Sequence, residues 1–150
     1  MKLTTEIKKY INKSVLCWLA TASKENIPNV SPKEIFTYHK TDNIIIANIA
    51  SPQTVKNIKQ NKKVCISFID ILVQKGFQLK GEAQILEKTD SEFKEMHSVL
   101  QELTGGKYPF TTITNVFIEH AKPIIAPKYM LYPETSEEAQ IESAKKTYRL

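Results

Sequence analysis

Residues 43–58, NIIIANIASPQTVKNI, place an apolar strand directly before the start of a helix. Ser51 is a residue type that caps helix N-termini, and Pro52 suits the first helical position, where no backbone N–H is needed. The polar side chains of Ser51, Gln53 and Thr54 then surround free backbone N–H groups at the positive end of the helix dipole. This arrangement predicts a seat for a phosphate group. A well-capped helix without a ligand is the alternative.

Length and composition set the outer limits. The 150 residues suit one domain, and we expect a single domain over residues 1–150 that ends in a helical tail. No apolar run approaches the roughly 20 residues of a membrane span, and charges interrupt the N-terminal segment where a signal peptide would be apolar. These features predict a soluble, cytoplasmic protein. The net charge of +5 suits anionic small molecules, nucleic acid or solubility alone.

Several kinds of site are not expected. The chain has only four glycines, and they assemble neither a dinucleotide-binding fingerprint nor a P-loop. Cys17 and Cys65 lie in apolar runs, which predicts reduced core thiols. The three histidines are isolated in the sequence, so we predict no metal site. No nucleophile-elbow motif is present, and no residue is identified as catalytic.

The hydrophobic pattern indicates a mainly β fold, a small antiparallel barrel with inserted helices. Residues 76–87 alternate between apolar and polar side chains, which predicts a strand with one buried face. Trp18 lies in an all-apolar strand and is expected in the core. We also expect a bend at Pro123 in the last strand. About six strands are predicted, over residues 15–21, 29–38, 44–49, 64–69, 76–87, and 112–118 with 123–126.

Two polar pairs lie on predicted strands. Ser31 and Lys33 share one strand face, and Gln78 and Lys80 share another, because alternate residues point the same way. Together they would offer lysines and amides to a flat anionic ligand. The alternative is a pair of solvent-facing stripes.

Three ordered segments carry a resemblance to a known family: LATASKENIPNVSPKEIF, NIIIANIASPQTVKNIKQNKKVCISF and GFQLKGEAQI. In order and spacing they resemble the flavin-binding split-barrel family, which includes pyridoxamine 5′-phosphate oxidase-like proteins and small FMN-binding members. The similarity covers residues 14–88, with weaker support over 113–126. It implies a six-stranded antiparallel split barrel that forms a homodimer with one FMN at each end of the interface. It also implies a small-molecule substrate or redox partner.

The resemblance assigns roles to ten positions. The strand that carries Ser31 and Lys33 would lie along the flavin. The end of the apolar strand over residues 44–49 and the helix start that follows it would contact the ring edge and the phosphate. The implied cofactor-binding residues are Ser31 and Lys33 beside the flavin, Ile49 and Ala50 at the ring edge, Ser51, Gln53 and Thr54 at the phosphate, Asn57 as a brace or direct phosphate ligand, and Gln78 and Lys80 to complete the site.

One departure and several alternatives stay open. The family often has Arg or Lys immediately before the threonine, where this chain has Gln53, so Lys33, Lys56 or Lys80 would have to oppose the phosphate charge. Members of the family also use F420 or haem, so the fold alone does not select FMN. A non-catalytic flavin carrier is the alternative to an oxidoreductase. A nucleic-acid-binding barrel is disfavoured, because the wet face of the long strand has no aromatic residue for base stacking.

Aromatic residues near the C-terminus present a further choice. Tyr129 and Tyr132 could close over the flavin ring of a partner subunit. The preferred interpretation is that they anchor the tail.

Overall fold

The computed structural model describes residues 1–150, in which seven strands form one antiparallel sheet with five helices around it. The prediction of a mainly β antiparallel fold with inserted helices is confirmed. The strands are β1 (Cys17–Ala22), β2 (Pro28–Lys33), β3 (Phe36–His39), β4 (Asn43–Ala47), β5 (Lys63–Asp70), β6 (Lys75–Leu86) and β7 (Ile113–Ile125). The helices are α1 (Thr5–Lys13), α2 (Pro52–Gln60), α3 (Phe93–Thr104), α4 (Pro127–Leu131) and α5 (Glu137–Tyr148).

The seventh strand arises because the predicted strand over residues 29–38 is two strands. The order across the sheet is β2-β1-β5-β6-β7-β4-β3, so β2 and β3 lie at opposite edges. Only Glu34 and Ile35 separate them in the chain. A connection of this length spans at most about 11 Å, so the two edges must lie close together. The sheet therefore curls into a barrel that is split between β2 and β3.

The long pairing of β6 with β7 contains one irregularity. The register shifts between Lys80 and Gly81, which leaves Glu119 unpaired on β7. A Cβ atom on Gly81 would lie 1.9 Å from the carbonyl oxygen of Phe117, so only glycine allows this close approach. β7 continues through Pro123, which pairs with Phe77, and the irregularity in its pairing lies at Glu119.

Two apolar clusters hold the sheet. The inner face is filled by fully buried side chains such as Leu19, Ile66 and Leu79, and α1 packs in the same cluster. On the outer face, α3 covers β4 and the start of β7. Cys17 is buried as predicted, whereas Cys65 is only half-buried.

The outer face of β1, β5 and β6 has no such cover within the chain. Trp18 pairs in register with Ser67, and Ser67 pairs with Gln78, so these three side chains share the outer face. Trp18 is 48% exposed there. The prediction that Trp18 is a core residue is wrong, because strand alternation puts Leu19, not Trp18, on the inner face.

The C-terminal segment docks beside the turn between β5 and β6. Lys75 Nζ lies 2.9 Å from Glu137 Oε1, and Tyr129 donates its hydroxyl to the Val73 carbonyl at 2.8 Å. Tyr129 therefore anchors the tail, as preferred from the sequence, while Tyr132 is exposed. None of the five helices combines the length and the apolarity that crossing a bilayer requires.

Candidate functional site

The start of α2 forms the centre of the candidate site. β4 ends at Ala47, and α2 begins at Pro52 as the sequence predicts. Between them Ala50 adopts a φ of +49°, a left-handed conformation that is unusual for a residue other than glycine. The connection between β4 and α2 therefore places the N-terminal end of α2 against the inner face of β2.

Ser51 occupies the N-cap position, but its predicted capping hydrogen bond is not formed. Its hydroxyl accepts a hydrogen bond from Lys33 Nζ and donates one to the Ile49 carbonyl at 2.9 Å. Because the Ser51 hydroxyl is engaged in this way, it leaves the first backbone N–H groups of α2 uncapped. An uncapped helix N-terminus attracts an anion through its N–H groups and its dipole.

Lys33 brings a positive charge to this helix start. Its side chain is 6% exposed and forms no salt bridge with any carboxylate of the chain. Burial lowers the pKa of the Lys33 ammonium below its usual range. Cys17, its cross-strand partner, supplies no negative charge, since burial raises the pKa of that thiol to about 12. A buried cation without a protein counter-charge favours a bound anion.

A short network of hydrogen bonds ties the helix start to β1 and β2. The hydroxyls of Ser31 and Thr54 lie 3.3 Å apart. Asn57, which is 1% exposed, accepts a hydrogen bond from the Gln53 amide at 2.8 Å and donates one to the Thr21 hydroxyl at 3.0 Å. Asn57 is therefore placed as a brace of the first turn.

Seven of the ten predicted residues have side chains or backbone at this place, and an eighth, Asn57, lies one turn behind it. Gln78 and Lys80 do not join them. They lie on the outer face of β6, where their register partners on β7 are Lys122 and His120. A single chain does not bring these two residues to the start of α2.

The structure also places the three lysines considered as the counter-charge of a phosphate, Lys33, Lys56 and Lys80, at different distances from the start of α2. Lys33 contacts Ser51 directly. Lys56 lines a neighbouring cavity of about 540 Å³ that Ser51 also lines. Lys80 is exposed on the outer sheet face.

A cavity of about 240 Å³ adjoins the predicted ring-edge segment. Lys33, Ile35, Ala47 and Ile49 line it, together with Tyr108 from the loop between α3 and β7. Tyr108 and the bracing residue Thr21 were not foreseen. Nothing in the local sequence connects Tyr108 to a segment about 60 residues earlier.

Residues 3–135 match the model of the family described as pyridoxamine 5′-phosphate oxidase. No curated protein matches the chain.

Among solved structures, the chain is similar to HupZ of Group A Streptococcus, crystallised with V5 and polyhistidine tags, with a TM-score of 0.70 and 22% identity over 83% of this chain and 95% of that chain. It is similar to an FMN-binding protein from Syntrophomonas wolfei subsp. wolfei, with a TM-score of 0.65 and 18% identity over 78% and 82%. It is also similar to HutZ, the haem storage protein from Vibrio cholerae, with a TM-score of 0.66 and 17% identity over 83% and 95%. These TM-scores show that the folds are shared. At sequence identities this low, the similarity shows the fold alone.

Proposed function

We propose that the chain, which belongs to the pyridoxamine 5′-phosphate oxidase family, binds FMN. We further propose that it does so as a homodimer and that it acts as an oxidoreductase. The observation that carries this proposal is the contact between buried Lys33 and Ser51 at the uncapped start of α2. Phosphate oxygens would accept hydrogen bonds from the helix N–H groups, from Thr54 and from the Lys33 ammonium. The residues therefore fit the phosphate end of FMN.

The charge at this seat is modest. Lys33 supplies one positive charge, the helix dipole about half of another, and Lys56 lies one turn along α2. A phosphate monoester carries between one and two negative charges near pH 7. The seat can therefore hold FMN with a moderate affinity, and Gln53 contributes a neutral amide at most.

The flavin end of the site supports a homodimer. Ser31, Lys33, Ile49 and Ala50 would contact the cofactor from one subunit. Gln78 and Lys80 would reach it only from the outer face of a second copy. The exposed Trp18 beside them gives that face an apolar surface of the kind that subunit interfaces cover.

Bound FMN supplies hydride or single-electron transfer, which the protein's own side chains cannot perform. The chain's contribution is to hold and orient the cofactor, and the Lys33 charge favours electron-rich states of the ring. We assign no catalytic side chain. The substrate would be a small molecule or another redox carrier.

Haem or F420 binding, with or without catalysis, is the second candidate. The similarity to the haem storage protein favours haem, as does the absence of a basic residue at Gln53. On the outer face His120 lies beside Gln78 and Lys80, and it would be the histidine to hold a haem iron.

The absorbance spectrum of the purified protein tests the cofactor. We expect flavin bands that are lost on unfolding with release of FMN, whereas a Soret band would contradict the proposal. Anaerobic NADPH or NADH should then bleach the flavin if the protein is an oxidoreductase. Inertness toward both donors would indicate a carrier.

A double variant tests the phosphate seat. Ser51→Ala combined with Thr54→Ala should weaken FMN binding at least about tenfold, because the phosphate loses the Thr54 hydroxyl and Lys33 loses the Ser51 hydroxyl that holds its ammonium at the helix start. The control combines Ser91→Ala with Ser98→Ala, two exposed hydroxyls near or on α3. Unchanged FMN affinity in a folded Ser51/Thr54 variant would mean that the phosphate lies elsewhere.

A further inference from the structure

The cavity of about 240 Å³ beside Ile49 is open to solvent but has a defined chemistry. Ile35, Ala47 and Ile49 give it aliphatic walls. Its two charged lining residues are the buried Lys33 and the exposed Glu34. It is smaller than the roughly 300 Å³ at which drug-sized pockets begin. It therefore suits one flat ring system better than a cofactor together with a substrate.

Tyr108 is the one aromatic side chain that lines this cavity. It is 56% exposed, so the phenol ring has no packed position of its own within the chain. An exposed aromatic ring at the mouth of an apolar cavity is suited to stack on a planar ligand.

The loop that carries Tyr108 is fixed at both ends. On one side, α3 ends at Thr104 and is followed by Gly105 and Gly106, which both have positive φ. The Thr104 hydroxyl accepts a hydrogen bond from the Gly106 N–H at 3.1 Å. On the other side, Phe110 is buried and its ring lies 4.6 Å from that of His97. Between these anchors the chain projects Tyr108 outward over a short span, so the position of the ring is restricted without being packed.

We propose that this cavity seats the isoalloxazine ring of the cofactor and that Tyr108 of the same subunit stacks on the ring as its cover. This inference rests on the proposed FMN binding and adds to it a positioning residue on a loop to which the sequence assigned no function. Tyr129 and Tyr132, the tyrosines considered from the sequence, do not line the cavity.

The proposal separates two parts of the ligand. Tyr108 contacts the ring, which FMN and riboflavin share. The start of α2 contacts the phosphate, which riboflavin lacks. A loss of the tyrosine ring should therefore weaken both ligands equally, whereas a loss of the phosphate contacts should weaken FMN alone.

The test is a fluorescence titration of the 150-residue chain with FMN and with riboflavin. Tyr108→Ala should raise both dissociation constants about five- to tenfold and leave their ratio unchanged. It should also raise the fluorescence of bound flavin, because a stacked phenol quenches it. Tyr108→Phe should keep most of the affinity, since it keeps the stacking ring. Tyr132→Ala, an exposed tyrosine on the tail, is the matched control.

The outcomes distinguish this inference from the proposed function. If the wild type binds FMN and Tyr108→Ala changes neither affinity nor fluorescence, the cover is refuted while FMN binding stands. If Tyr108→Ala weakens FMN but not riboflavin, the tyrosine acts on the phosphate and the inference is again wrong. If the folded wild type binds neither ligand, both the proposed function and the cover are refuted.

Discussion

At the scale of single residues, one buried cation dominates the electrostatics of the site. Lys33 has no carboxylate partner, and its ammonium is held by the Ser51 hydroxyl at the helix start. Gln53 stands where the family pattern often has a basic residue, and its amide is used internally to hold Asn57. The proposed phosphate seat therefore has one positive charge fewer than that pattern implies.

This deficit predicts a gain of affinity on adding a charge. Gln53→Lys should tighten FMN binding about tenfold, which corresponds to about 1.4 kcal/mol for a new charge-assisted contact. Riboflavin binding should not change. Gln60→Lys, at the far end of the same helix, adds the same net charge and serves as the control. If both substitutions tighten FMN binding equally, the gain comes from the added net charge of the protein and not from a contact between residue 53 and the phosphate.

Residue types with a local meaning could be interpreted from the sequence alone. Pro52 at the first helical position is such a case, because its preference depends only on its neighbours. The role of the Ser51 hydroxyl could not be interpreted in this way, because it accepts a hydrogen bond from Lys33, which lies on β2. Trp18 is different again, because an apolar strand does not reveal which of its faces the fold covers.

At the scale of elements, alternation predicted β6 well and misjudged β2 and β3. The alternation breaks between them, because the charged pair Lys33 and Glu34 is followed directly by the apolar residues Ile35 and Phe36. The break has no glycine to mark a turn, and it does not reveal that the chain leaves one sheet edge for the other. β2 pairs with β1, whereas β3 pairs with β4, and Ala47 extends the second pairing by donating its N–H to the Ile35 carbonyl at 3.0 Å. The split of this strand is set by tertiary pairing.

The C-terminal helix shows a similar limit. The predicted helical tail contains α5, whose first turn is acidic and whose last turn is basic, as the helix dipole favours. Its docking depends on Lys75, which holds Glu137 and contacts the Tyr129 ring from 4.4 Å. These partners lie more than 50 residues apart, so the sequence indicated a helix but not its place.

At the scale of the whole molecule, the site is divided between two sheet faces. Ser31 and Lys33 lie on the inner side with α2, whereas Gln78 and Lys80 lie on the outer side. One flavin can contact both pairs only if the outer face of a second subunit meets the first. The proposed homodimer is thus a condition of the proposed ten-residue site.

A charge on the outer face should separate the subunits. Trp18→Asp places a carboxylate at the centre of the proposed interface, so we expect a monomer in sedimentation and a loss of FMN binding. Tyr132→Asp, at a residue 58% exposed on the tail, is the control and should leave both unchanged. A Trp18→Asp variant that stays dimeric would place the interface elsewhere.

The central claim is that the start of α2, with Lys33, binds a phosphate group. The most direct measurement is the ratio of the riboflavin and FMN dissociation constants of the wild-type protein. Charge-assisted hydrogen bonds to the phosphate should make FMN bind at least about a hundredfold more tightly. Equal affinities for the two ligands would contradict the claim.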